Sequence, residues 1–206
     1  MTPADRVAGT AAGIVITGWI AFVIVMARRP KPPGAEGPAR RDRWSMLWIV
    51  MQSASYAVVW SPRHWGFANR VVADARPWGM ASIAWIAIIA GLVVGGITLL
   101  DAAVQTLGRQ WSLVARVASG HDLVTTGPYG HVRHPIYTAM LIMLIATGLA
   151  ISGPARLAIG VAVFTLGTAL RVRAEETLLR AAFGATFDAY AKRVPAVVPR
   201  PGSNRA

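Results

Sequence analysis

The sequence predicts an all-α protein: a polytopic membrane helix bundle of about five transmembrane helices. Three observations predict it. Hydrophobic residues make up 54% of the 206 residues and charged residues 15%, against about 25% charged in soluble domains. Mean hydropathy is +0.47. Uncharged runs recur along the chain at lengths near the roughly 20 apolar residues that a span needs. The chain length suits one domain.

Each run carries its own justification. Residues 7–27 form an uninterrupted apolar stretch, longer than the roughly 7–15-residue apolar core of a secretory signal. With no small-x-small cleavage site ahead of Arg28 and Arg29, it is expected to remain as a span. Residues 44–60 form a second run that contains Gln52, and residues 78–100 form a third. Residues 136–153 form a fourth. The fifth, 157–170, is short; a helix starting at Pro154 would extend it through Arg171 and on into water. Trp44, Trp60 and Trp78 stand at run ends, where interfacial indoles anchor helices. Gly91 and Gly95 form a GxxxG pair, expected to serve helix packing within the chain. The Pro- and Gly-rich stretch RRPKPPGAEGPARRDR is a flexible connector without chemistry of its own.

Charge placement sets orientation. Sixteen of the 21 Lys and Arg fall in residues 28–43, 101–134 and 171–206. The positive-inside rule therefore puts the N-terminus outside and the C-terminus in the cytoplasm. This distribution accounts for much of the +12 net charge without nucleic acid, and no aromatic-basic nucleic-acid module is present. With no cysteine in the chain, disulfides, thiolate metal sites and a Cys nucleophile are excluded.

The residues able to do chemistry are clustered. Three of the four His (His121, His131, His134) precede the fourth run, and Glu175 and Glu176 follow the fifth. Runs four and five are joined by the short SGPAR, so they must form an antiparallel hairpin that brings His134 beside Glu175. In TTGPYGHVRHPIY, residues 125–137, Gly127-Pro128 signals a turn. Pro135 suits the first turn of a helix, where its missing N–H costs little. Backbone groups near that helix N-terminus would suit a ligand bearing a carboxylate or hydroxyls. Arg171 and Glu175 share a helix face, either as a simple ion pair or as functional juxtamembrane charges, and position favours function. Glu176 points about 100° away, and for it the two readings are even. His134 reads as a ligand-side residue rather than a mere cap, His121 is balanced between the two, and His131 reads as surface. Asp101 marks the interface, while Gln105 and Arg109 could face the loop. A zinc site is disfavoured without HExxH or Cys. No GxxxxGK[ST], GxGxxG or GxSxG motif occurs.

HDLVTTGPYGHVRHPIYTAML followed by RVRAEETLLRAAFGATFDAYAKRVPAVVP resembles the isoprenylcysteine carboxyl methyltransferase family of integral membrane methyltransferases, to which phospholipid N-methyltransferases are related. The resemblance covers roughly residues 105–199. It implies S-adenosylmethionine (S-adenosyl-L-methionine, SAM) as methyl donor, in a cytoplasmic pocket made by the loop before helix 4, the helix 4–5 hairpin and the C-terminal helix. By motif position the cofactor contacts would be His121, Asp122, Leu123, Val124, Tyr129, His134, Pro135, Tyr137 and Glu175, and Arg171 would bind the acceptor. Residues 1–100 would then supply three N-terminal spans on the lipophilic-substrate side, and residues 101–206 the methyltransferase region. The sequence departs from the family at Val114, where the eukaryotic prenylcysteine enzymes carry Gln, and at Ala139, where the family commonly has Gly. It also lacks their longer loop.

The implied reaction fits these residue types. Methyl transfer from a sulfonium is an in-line displacement in which positioning dominates. A carboxylate acceptor needs no base, only a cation, and the Arg171 guanidinium can grip it with a fork of donors. An amine acceptor would need deprotonation, for which Glu176 or His134 could serve; Arg171, Glu176 and His134 are thus the catalytic candidates. The lipophilic acceptor would enter from the bilayer. A phospholipid amine N-methyltransferase, an NADPH-dependent membrane reductase of related fold, and a non-catalytic scaffold or transporter stand as alternatives.

Overall fold

The computed structural model describes residues 3–28, 40–41, 45–61, 80–108, 116–117 and 123–199. Six helices account for nearly all of them: α1 Pro3–Arg28, α2 Ser45–Trp60, α3 Met80–Leu107, α4 Pro135–Ile151, α5 Pro154–Phe183 and α6 Ala185–Arg193. Three of these, α1, α3 and α5, are long and apolar enough to cross a membrane, and α2 and α4 are shorter apolar helices. Two strand residues on each side, β1 Arg40–Arg41 and β2 Arg116–Val117, pair antiparallel. This short ladder is the exception to the all-α expectation, and it ties together two loops that the charge count assigns to one membrane side.

The helices follow the predicted runs with one extension. The third run ends before Asp101 in hydropathy, yet α3 continues to Leu107. Asp101 is satisfied within the helix, accepting a hydrogen bond from Gln105 Nε2 at 2.6 Å. Gln105 is thereby exposed and engaged one turn away rather than turned toward the loop, and Arg109 lies outside the described residues. Trp60 stands partly exposed at the end of α2; Trp44 and Trp78 are outside the side chains described.

Two apolar clusters meet on α4. One joins α1, α3 and α4 through Val15, Phe22, Ile89, Val93, Leu100 and Met143. The other joins α2, α4 and α5 through Val59, Leu144 and Phe164. The α4–α5 hairpin turns within two residues, Ser152 and Gly153, and Pro154 begins α5 at a position that needs no N–H partner. The antiparallel hairpin is as short and tight as SGPAR implied. At the far end, Arg156 Nη1 donates to the Ser61 carbonyl at 2.8 Å and closes the last turn of α2.

Glycines decide how closely α2 and α5 approach. A Cβ on Gly160 would sit 2.7 Å from Val59 Cγ2 and 3.2 Å from the Ser55 carbonyl, and one on Gly167 would sit 3.1 Å from Met51 Cβ. Small residues of this kind let helix backbones meet in lipid, where apolar surface gains little by leaving one hydrocarbon for another. The Gly91–Gly95 pair does not do this. Among the described residues a Cβ at either would meet nothing within 4 Å, so no described helix packs there as expected. The helix-facing glycine on α3 is Gly96, close to Met143 and Ile142 of α4. The 3.6-residue period turns Gly96 about 100° from Gly95, which is enough to exchange a neighbour for open surface.

Candidate functional site

The polar residues gather where the start of α4 meets the end of the apolar part of α5. The approach to α4 is built by Gly127–Gly130, a single 3-10 turn. Gly127 has φ +57°, a left-handed conformation that glycine takes without steric cost. Pro128 follows as the turn opener, and the turn buries Tyr129. The Tyr129 carbonyl accepts a hydrogen bond from Tyr190 Oη of α6 at 2.7 Å. Leu123 packs against Phe187, Tyr190 and Val194, and Val124 beside it is half-buried.

His134 is the N-cap residue of α4, but its side chain makes no capping bond. The ring instead sits between two carboxylates, with Nε2 3.2 Å from Glu176 Oε1 and Nδ1 3.4 Å from Glu175 Oε2. It stacks on Tyr137, with ring centroids 5.7 Å apart. Burial pulls the imidazole pKa down, but hydrogen bonds and charge attraction from Glu175 and Glu176 outweigh it and hold the pKa above the usual value. The two carboxylates thus shift the ring toward its charged form relative to a free imidazole. Pro135, at the first helical position, is fully buried.

Glu175 Oε1 accepts from Tyr137 Oη, a short contact, and from Arg171 Nε at 3.2 Å. Arg171 is buried, with Nη1 donating to Gln52 Oε1 of α2 at 3.2 Å and the guanidinium carbon 5.2 Å from the Tyr137 ring centroid. Gln52 Nε2 in turn donates to Thr168 Oγ1 at 2.9 Å. Glu176 is held differently. Its Oε1 receives Arg133 Nε at 2.9 Å, Arg133 Nη2 at 2.7 Å and His134 Nε2. Arg133 Nη1 also donates to the carbonyls of Ala191, at 2.9 Å, and Val194. The segment after α6 then lies across the start of α4. Arg133 N donates to Pro195 O at 2.8 Å, His134 N to Ala196 O at 2.9 Å and Thr138 Oγ1 to Val197 O at 2.6 Å.

The hairpin thus gathers six of the candidates, His134, Pro135, Tyr137, Arg171, Glu175 and Glu176, around one cluster, with Leu123, Val124 and Tyr129 on the adjoining loop. His121 and Asp122 lie outside the described residues, as do Val114 and His64. His131 is exposed, its ring Nδ1 3.3 Å from the Gly127 carbonyl, in keeping with a surface role. Three residues of the cluster were not among the candidates: Gln52, Thr168 and Arg133. Gln52 was detectable as an amide inside an apolar run. Arg133 stood in the RHP motif, but its role depends on the return of residues 194–197.

Three cations and two carboxylates meet here, if His134 is counted as imidazolium. Glu176 Oε1 is already engaged by three donors, two from Arg133 and one from His134. The arrangement can bind an anion, present an aromatic face and a carboxylate to a cation, and keep water away from both. Among the described residues, no group of three or more His, Cys, Asp or Glu side chains could hold a metal ion.

Residues 87–181 match the model of the isoprenylcysteine carboxyl methyltransferase (ICMT) family, the family that the motifs resemble. The matched stretch begins inside α3 and ends inside α5, earlier at both ends than the motif resemblance. The chain is 36% identical over 117 residues to the nickel-cobalt-cadmium resistance protein NccN of Alcaligenes xylosoxydans xylosoxydans, covering 56% of this chain and 53% of that protein. It is 34% identical over 103 residues to the cobalt-zinc-cadmium resistance protein CzcN of Cupriavidus metallidurans, covering 50% and 47%. To the protein-S-isoprenylcysteine O-methyltransferase B of Arabidopsis thaliana it is 33% identical over 111 residues, covering 52% and 56%. The chain spans about half the length of the curated relatives it matches. With its spanning helices and family match, it is an integral membrane protein.

Proposed function

We propose, taking the ICMT-family match at 87–181 as premise, that this chain is a membrane methyltransferase. It would move a methyl group from S-adenosylmethionine to the carboxylate of a lipophilic, prenylcysteine-like acceptor. The observation that carries the choice of a carboxylate is the state of the cluster: a buried arginine stands at its centre, and both candidate bases are already engaged. Arg171 is buried beside Glu175 and Gln52. The two residues that an amine acceptor would need as base are Glu176, tied to Arg133, and His134, held between the two carboxylates. An ionised carboxylate needs only to be gripped and aimed.

The residues fit the donor. Glu175 offers a carboxylate, 21% exposed in its side chain, beside the Tyr137 ring, and a cation is stabilised by both kinds of surface. Leu123, Val124, Tyr129, His134, Pro135, Tyr137 and Glu175 would hold it, with His121 and Asp122 completing the set. When bound, S-adenosylmethionine supplies an activated methyl group. Arg171 would hold the acceptor carboxylate. Arg133 and Glu176 keep the residues after α6 closed over the start of α4, and this shields the site from water. The lipophilic part of the acceptor would reach Arg171 from the bilayer. By the positive-inside rule this end would lie in the cytoplasm and the N-terminus outside, and a reporter fused after Ala206 should then be active only if it functions inside the cell.

The test is direct. Purified protein is incubated with methyl-labelled S-adenosylmethionine and, separately, S-farnesylcysteine or phosphatidylethanolamine. Label on the prenylcysteine that is released by mild base is a methyl ester and supports the reading. Base-stable label on the phospholipid amine would replace it with N-methylation. No transfer to either, with donor binding absent, would overturn it.

A further inference from the structure

Helix α2 lies outside the family-matched stretch, yet it reaches into the cluster through one side chain. Gln52 is 2% exposed. A buried amide in a helix bundle is costly unless both its ends are paired. Here both are: Nε2 donates to Thr168 Oγ1 at 2.9 Å, and Oε1 accepts from Arg171 Nη1 at 3.2 Å. The reverse orientation would set the amide NH2 against a guanidinium that can only donate, so Arg171 dictates which way the amide faces. The base of the side chain is fixed as well, because Gly167 of α5 leaves the α2 backbone only a Cβ's width away at Met51 and Gln52. An apolar side chain could fill the same space at less cost, so the amide calls for another explanation. The guanidinium provides it. Nε is engaged by Glu175 at 3.2 Å and the guanidinium carbon lies over the Tyr137 ring, so the contact from Gln52 adds a third hold.

We propose that Gln52 is a positioning residue for acceptor recognition: it holds the Arg171 guanidinium in the orientation that grips a carboxylate. Acceptor specificity is then set in part by α2, while the other groups of the site come from α4, α5 and the loop before α4. This rests on the proposed methyl transfer to a carboxylate.

The experiment uses the full chain in detergent with Gln52→Met, which keeps length and apolar volume but removes the acceptor oxygen. KM for N-acetyl-S-farnesylcysteine should rise about tenfold, the size expected for one hydrogen bond to a charged group. Affinity for S-adenosylmethionine, and for the neutral methyl ester of the same prenylcysteine, should stay within about twofold of the wild-type protein. In an Arg171→Lys background the effect of Gln52→Met should vanish. A packing role would weaken acid, ester and donor alike, and that outcome, or an unchanged KM, overturns the proposal. If Gln52→Met does not fold, Thr168→Val removes the hydroxyl that steadies the amide and should raise the same KM two- to threefold, by roughly half a kcal/mol of hydrogen bonding. A wild-type protein that labels no prenylcysteine overturns the methyl-transfer reading itself, whereas an active wild type with an indifferent Gln52→Met overturns only this inference.

Discussion

The bundle has two sides that share α4 and are held together in different ways. On the α1–α3 side the described contacts are mostly apolar, and a side-chain hydrogen bond reaches α4 from Trp19 Nε1 to Thr147 Oγ1 at 3.1 Å. Ile83, Ile88 and Val94 of α3 face outward, and the Gly91–Gly95 pair opens onto that same surface. On the α2–α5 side, glycines bring two backbones close, and a chain of polar contacts runs from Thr168 through Gln52 to Arg171, Glu175, Tyr137 and His134. Lipid tails are as apolar as the side chains they touch, so a membrane bundle gains little from added polar groups in its interior unless they are paired and used. The concentration of such groups on one side is what the proposed chemistry draws on, and the other side is packed almost entirely through apolar contacts.

That contrast can be broken most forcefully at Arg133. Arg133→Ala removes the partner of a largely buried carboxylate and two hydrogen bonds to the closing segment, at the Ala191 and Val194 carbonyls. We expect a loss of about 3 kcal/mol or more, read as a fall in Tm in detergent. A comparably small loss from Arg133→Ala and from a surface Arg would remove the argument for a closed segment. A matched pair of glycine substitutions comes next. Gly160→Leu intrudes on Val59 and Ser55 and should cost about 1–3 kcal/mol. Gly91→Leu enters open space and should stay within about 0.5 kcal/mol. Equal costs would mean that the two sides are packed alike.

A smaller effect should appear with pH. The His134 pKa is raised in the folded chain, so its contribution is fully present below its unfolded value of about 6.5 and is lost as pH rises through the higher folded value. Unfolding midpoints measured across that window should fall with rising pH in the wild-type protein, and the His134→Gln protein should show a flatter profile. An identical slope in both would place the titration elsewhere.

The spans were legible because a bilayer imposes length and hydropathy, and both are visible in a run of letters. The meeting of His134 with Glu175 and Glu176 was legible for a related reason: SGPAR is too short to do anything but reverse direction. Hydropathy could not show which face of a run is turned inward. It therefore could not tell that Gln52 reaches Arg171, that Gly96 and not Gly95 faces α4, or that α3 passes Asp101 once Gln105 has satisfied the carboxylate. The hold of Arg133 on residues 191–194 was hidden as well, since it forms only when α6 folds back behind its left-handed Gly184.

The central claim assigns the two charged residues of one α5 face to different ligands, Glu175 to S-adenosylmethionine and Arg171 to the acceptor. Calorimetry with S-adenosylmethionine on Glu175→Gln and Arg171→Lys tests it most directly. Loss of a charge-assisted hydrogen bond is worth roughly 1.5 to 3 kcal/mol, so Glu175→Gln should bind the donor about one to two decades more weakly. Arg171→Lys should bind it nearly as the wild-type protein does while turning over a carboxylate acceptor poorly. A Glu175→Gln protein that binds S-adenosylmethionine with wild-type affinity would contradict the account.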